Sequence, residues 1–126
     1  MWKKILVVDD EKSFTDMLQL NLEATGKYQV CVENNPQQAI NVAERFRPDL
    51  ILLDVIMPKK EGPDVAIEIQ QNYLLKEIPI VFLTATVTKE EAETQGGIIG
   101  GRSFVAKPSS LRELLVSIEN NLAAAH

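Results

Sequence analysis

The chain has 126 residues, 45% of them hydrophobic and 25% charged, the size and make-up of one globular domain that buries a core without staples. A net charge of -5 argues against a surface built for nucleic acid or anionic membrane, because phosphate binding needs clustered Lys and Arg. A single cysteine, Cys31, excludes an internal disulfide and a cysteine metal cluster.

In chain order, Lys4-Ile5-Leu6-Val7-Val8 is a β-branched apolar run that reads as a first strand and ends at Asp9-Asp10. Ser13 is placed to cap a helix whose apolar stripe is Phe14, Met17, Leu18 and Leu22, closed by Gly26. Tyr28 to Val32 reads as a second strand, and Cys31 within it as a small buried hydrophobe. Asn35-Pro36 is a cap followed by proline at the first helical position, and Ala39, Ile40, Ala43 and Phe46 form the buried face of that helix. Pro48 precedes the run Leu50-Ile51-Leu52-Leu53, which ends on Asp54. An uninterrupted apolar run between prolines suits a strand buried on both faces, as in a parallel sheet.

Val55 to Gly62 reads as a loop, and Pro63 opens a helix with Val65, Ala66, Ile69 and Tyr73 on one side. Ile78 to Leu83 reads as a fourth buried strand, with Thr84 at its end. Thr88 caps a short helix that the glycines between Gln95 and Gly101 cannot continue cheaply, each costing ~1 kcal/mol in a helix. Arg102 to Ala106 reads as a fifth strand ending at Lys107-Pro108. Ser109 caps a last helix carrying Leu111, Leu114, Leu115, Ile118 and Leu122. Alternating strands and helices imply βαβ units and helices on both faces of a parallel sheet. No linker, repeat or low-complexity block divides the chain, so one domain is expected over residues 1–126. No signal peptide and no membrane-length apolar run is present, and the expected compartment is the cytoplasm. The single histidine, His126, is the last residue, so none is placed inside the fold for catalysis or a metal.

Polar residues stand at the predicted strand ends: Asp9-Asp10, Asp54, Thr84 and Lys107. In an open parallel sheet these ends share one edge, the edge where ligands bind. Taken singly, each has a plain structural reading: a solvated turn, a helix cap, a strand-end hydroxyl, a helix entry. Taken together they converge three carboxylates, a hydroxyl and an ammonium. Close carboxylates repel and resist losing water, and a divalent cation relieves both. The set suits phosphoryl transfer, with a carboxylate as nucleophile and the metal and Lys107 answering the charge on the transferring oxygens.

At these residues the sequence resembles the receiver domains of two-component response regulators. The matching pieces are Val7-Val8-Asp9-Asp10, Leu52-Leu53-Asp54, Met57-Pro58 with Gly62, Thr84-Ala85 and Lys107-Pro108, in the family's order. The resemblance covers residues ~4 to ~122. It implies a doubly wound, flavodoxin- and CheY-like fold whose five parallel strands run in the order 2-1-3-4-5. It implies that Asp54 accepts a phosphoryl group from a histidine kinase or histidine phosphotransfer protein. It further implies Mg²⁺ (or Mn²⁺) held by Asp10, Asp54 and the Ile56 backbone carbonyl, with Asp9 acting through water. Lys107 then pairs with Asp54, Thr84 swings toward the phosphoryl group, and Phe104 turns inward as the switch aromatic. Ala85 keeps the phosphoryl pocket open. The implied activity is signalling through a downstream protein target, with self-catalysed phosphorylation and dephosphorylation only.

Ile56 and Thr86 depart from the family pattern. They flank the route of an attacking water, and an apolar Ile56 is expected to shield the acyl phosphate. The glycines before Gly101 are expected to loosen the fourth helix, which weakens the phosphorylation-dependent homodimer many receivers form there. The chain is expected either to stand alone or to be a piece of a larger regulator or hybrid kinase. A haloacid dehalogenase-type phosphatase would need a second acid at the position of Ile56. A flavodoxin-like nucleotide binder would need a phosphate-cradling loop where Asp9-Asp10-Glu11 stands. A pseudo-receiver is not supported, because every acceptor residue is present.

Overall fold

In the computed structural model, residues 2–84, 98–99, 102–106 and 110–124 are described. Six strands form one sheet: β1 (Lys3–Val8), β2 (Tyr28–Glu33), β3 (Leu50–Asp54), β4 (Ile80–Thr84), β5 (Ile98–Ile99) and β6 (Arg102–Ala106). Their order is β2-β1-β3-β4-β6-β5. All neighbours pair in parallel except β5, which runs antiparallel to β6. The five parallel strands therefore follow the expected order 2-1-3-4-5, with β6 as the fifth. The helices are α1 (Lys12–Ala24), α2 (Ala39–Phe46, entered through a 3₁₀ turn at Pro36–Gln38), α3 (Gly62–Gln71) and α4 (Leu111–Ala124).

The apolar runs are continuous because the sheet is covered on both faces. On one face Ile5, Val7, Leu50, Leu52, Val81 and Leu83 pack against Leu18 and Leu22 of α1 and Leu114 and Ile118 of α4. On the other, Leu6, Val8, Ile51, Leu53 and Phe82 meet Val42 and Ala43 of α2 and Val65, Ala66 and Ile69 of α3. At the β2 edge, α1 supplies the ladder partners that a further strand would otherwise offer. Val30 N–H donates to the Glu23 carboxylate at 3.1 Å, and Gln19 Nε2 donates to the Val30 carbonyl at 3.1 Å. These side-chain bonds occupy the β2 edge at Val30, which blunts it there as a template for a further strand.

Several expectations shift in detail. The first bond of α1 runs from Thr15 N–H to the Glu11 carbonyl, so Ser13 lies inside the first turn and does not cap it. Met17 is exposed, because Phe14, Leu18 and Leu22 at a four-residue repeat already take the sheet-facing stripe. Asn35 does cap, its side chain accepting from Gln37 N–H at 3.0 Å. The α3 helix ends at Gln71 and Asn72 is extended, which throws Tyr73 out of register to 84% exposure and buries Leu75 instead. For α4, Ser110 Oγ accepts from Glu113 N–H at 3.1 Å, one residue after the expected cap at Ser109, itself outside the described residues. The expected helix from Thr88 and most of the glycine segment also lie outside them. Within that segment Ile98 and Ile99 form a strand rather than a loop, registered on Ser103 and Arg102. Only Gly100 and Gly101 separate the paired ends, the residue type that a two-residue hairpin connection favours.

Candidate functional site

Parallel register decides what meets at the strand ends. Val8 pairs with Leu53, so Asp9 and Asp54 follow on side by side, with Asp10 next along. One carboxylate oxygen from each of Asp9, Asp10 and Asp54 lies within 4.8 Å of the others. Asp9 and Asp54 are buried and Asp10 is exposed, so the cluster opens to solvent on one side. Asp9 is fixed by its backbone as well as its side chain. Its N–H donates to the Glu33 carbonyl at 3.2 Å, and its Oδ1 accepts from Glu11 N–H at 2.9 Å. The chemistry of this donor set fits a hard divalent cation: oxygen ligands only, two of three carboxylates stripped of water, and one side left for water or substrate.

The loop after Asp54 is anchored at both ends. Val55 N–H donates to the Leu83 carbonyl at 3.1 Å, and Gly62 N–H donates to the Val55 carbonyl at 2.8 Å. Gly62 sits so close to the strand end that a Cβ there would overlap the Asp54 carbonyl oxygen and lie 3.0 Å from Val55 Cα. Only glycine lets α3 start this near the backbone that carries Asp54. Lys59 takes the left-handed conformation at φ 71, and Lys60 pairs with Glu68 of α3. Met57 is buried in the core while Ile56 is 58% exposed beside Asp54.

Thr84 ends β4, one residue beyond the Asp54–Leu83 pair, and is buried. It is paired with Ala106. Two residues back on the same strands, Phe82 pairs with Phe104, and their rings stack with centroids 5.2 Å apart at 24°. The period of two puts Thr84 and both rings on one face of the sheet. Phe104 is packed against the core on the α2 and α3 side. Of the residues singled out from sequence, Asp9, Asp10, Asp54 and Thr84 are thus brought to one edge, with Ile56 at its rim and Phe104 behind Thr84. Lys107, Ala85 and Thr86 lie outside the described residues.

Cys31 stands away from this edge. Burial, then the neighbouring Glu33 carboxylate, pushes its thiol above the usual range against the opposing pull of Arg45. A thiol shifted that way is a poor nucleophile. Two residues of the site's surroundings are not marked by any motif. Asn34 bonds to the Asp9 carbonyl, just past β1, and to the Thr15 hydroxyl, which in turn bonds to the Lys12 carbonyl. The signal in sequence is only position, Asn34 as a polar residue just past the strand that neighbours β1 and Thr15 as a hydroxyl in the first turn of α1.

A doubly wound α/β domain with an acidic cluster at the carboxyl ends of β1 and β3 is the frame of a phosphoacceptor signalling domain. The chain belongs to the response regulator receiver domain family, whose model matches residues 5–119. It is similar to the chemotaxis protein CheY4 of Vibrio cholerae, at 27% identity over 96% of this chain and 99% of that one, with a TM-score of 0.81. It is 31% identical to the N-terminal domain of a response regulator receiver protein from Methanoculleus marisnigri, over 95% and 96% of the two chains, with a TM-score of 0.69. It also resembles the signal receiver domain of a histidine kinase from Syntrophus aciditrophicus, at 28% identity over 97% and 91%, with a TM-score of 0.79. The protein is therefore a signalling domain of the two-component type, a class that works with histidine kinases and downstream effectors and binds Mg²⁺ at an acidic pocket. Among the described residues no helix is long and apolar enough to cross a membrane.

Proposed function

We propose that Asp54 is the phosphoacceptor of a two-component phosphorelay. The observation that carries this is the cluster of Asp9, Asp10 and Asp54, whose oxygens lie within 4.8 Å of one another beside the buried Thr84. An Asp54 carboxylate oxygen attacks the phosphorus of a phosphohistidine on a partner kinase or phosphotransfer protein. The P–N bond breaks, its electron pair stays on the imidazole nitrogen, and the product is an acyl phosphate on Asp54. Asp9, Asp10 and Asp54, with the Ile56 backbone carbonyl, would hold Mg²⁺ or Mn²⁺. The bound ion would neutralise charge on the transferring oxygens.

Lys107 pairs with the Asp54 carboxylate and then with the phosphoryl oxygens. Thr84 donates its hydroxyl to the phosphoryl group, and Phe104, on the same sheet face, takes up the space this vacates. That couples chemistry at the edge to the surface beyond β6 as a shift between two populations. Dephosphorylation is self-catalysed, Ile56 and Thr86 set its rate, and the readout is a protein target rather than DNA or membrane. The chain acts as one domain in the cytoplasm. The acid at the position of Ile56 that a haloacid dehalogenase-type phosphatase needs is absent, which favours the receiver.

The test uses a small phosphodonor with Mg²⁺ and intact-protein mass. A phosphoryl-sized gain is expected for the wild type and none for Asp54→Ala. An undiminished gain in Asp54→Ala would place the acceptor elsewhere.

A further inference from the structure

The end of β1 is held from a second direction. Asn34, the first residue after β2, reaches across to it. Its Nδ2 donates to the Asp9 carbonyl at 2.8 Å and to the Thr15 hydroxyl at 3.0 Å. Thr15 is fully buried, and its hydroxyl donates onward to the Lys12 carbonyl at 3.0 Å in the first turn of α1. A carbonyl can only accept and this hydroxyl is already donating, so the Asn34 side chain must present its NH₂ to both. One amide thereby ties the residue after β1 to the helix that follows it, across the short segment that carries Asp9 and Asp10.

The loop bearing Asn34 is itself fixed. The Glu33 carboxylate accepts from Asn35 N–H at 2.9 Å, and Asn35 Oδ1 accepts from Gln37 N–H at 3.0 Å. Three carboxylates with oxygens inside 4.8 Å repel one another and push this segment apart. A brace from a rigid loop opposes that spreading. Ligands already held at the spacing an ion needs bind it more tightly, because ordering them costs nothing further.

We infer that Asn34 is a positioning residue for the acid cluster, bracing the Asp9 carbonyl against α1 through Thr15 so that Asp9 and Asp10 stand at cation-binding distance from Asp54. This rests on the metal-binding reading of those three acids. It also extends the site to β2, a strand that supplies none of its acids.

The experiment is titration of the folded protein with Mg²⁺, followed by amide NMR shifts, and with Mn²⁺, followed by water proton relaxation. Asn34→Ala is expected to weaken binding of both ions by about tenfold, the usual scale for losing a group that orients a ligand. Thr15→Val, similar in shape, is expected to weaken it by a smaller factor. Asn72→Ala is the control, because Asn72 donates to Glu44 at 3.1 Å between α2 and α3. It lowers the unfolding midpoint without moving ion affinity. Unchanged affinity in Asn34→Ala, with a lowered midpoint like the control, overturns the inference. If Asn34→Ala does not fold, unchanged affinity in Thr15→Val overturns it instead. Ion affinity that survives both Asp9→Asn and Asp54→Asn overturns the metal reading and this inference together. Affinity lost in those two variants but kept in Asn34→Ala overturns only the role of Asn34.

Discussion

Ile56 and Met57 are neighbours with opposite fates: Ile56 is 58% exposed and Met57 is 4% exposed. The buried methionine pins the loop to the core and leaves the isoleucine exposed two residues after Asp54, where the proposed function makes it an apolar screen for the acyl phosphate. A screen of this kind removes a polar group that could orient an attacking water. Phosphate release from the phosphorylated wild type is therefore expected to be slower than from Ile56→Asn, by roughly two- to tenfold, the rate equivalent of one hydrogen bond worth about 0.5–1.4 kcal/mol. An unchanged or slower rate in Ile56→Asn would sink the idea. At this scale the acids and Thr84 are legible in the sequence, because each closes an apolar run and parallel strands put such closures on one edge. Asn34 is not legible. Asn35 is readable as the cap because Pro36 follows it, but nothing marks Asn34 as the residue that crosses to β1; that depends on how β2 lies against β1.

Among elements, the contact that matters most to the site is the start of α3 against the end of β3. Gly62 N–H bonds to the Val55 carbonyl, and its Cα faces the Asp54 carbonyl with no room for a side chain. Alanine is the better helix former by ~1 kcal/mol, so the propensity term alone favours Gly62→Ala. Overlap with a backbone oxygen outweighs it, since that atom cannot swing away as a side chain would. Gly62→Ala is expected to lose about 1–3 kcal/mol in denaturant unfolding, the usual cost of forcing atoms into a packed site. Wild-type stability in that variant would contradict the close approach. Sequence shows a glycine here and a helix behind it, but the reason for the glycine lies in the distance between two elements. Tyr73 and Ile98-Ile99 fail to be legible for related reasons. Periodicity carries Tyr73 onto the apolar side of α3, yet the helix stops before reaching it. The glycines around Ile98-Ile99 read as breakers of a helix, whereas pairing with β6 makes a strand of the two residues between them.

For the whole molecule, the acid cluster sets a tension between folding and function. Bringing Asp9, Asp10 and Asp54 together without a cation costs stability, and the two covered faces of the sheet supply what offsets it. A ligand bound only by the folded chain returns that loss through mass action, about 2.7 kcal/mol at a hundred times its dissociation constant. For a domain of this size that corresponds to a rise in the thermal midpoint on the order of 10 °C between chelator and saturating Mg²⁺. Asp54→Asn removes one of the three charges while keeping the side chain's shape. Its midpoint in chelator is expected to lie above that of the wild type, because the remaining acids repel less. Its gain from Mg²⁺ is expected to be smaller, because one ligand has lost its charge. Both shifts are read from the same four melting curves, wild type and Asp54→Asn with and without the ion. Equal Mg²⁺-dependent gains in the two proteins would show that the stabilising ion binds somewhere other than the edge where β1 and β3 end.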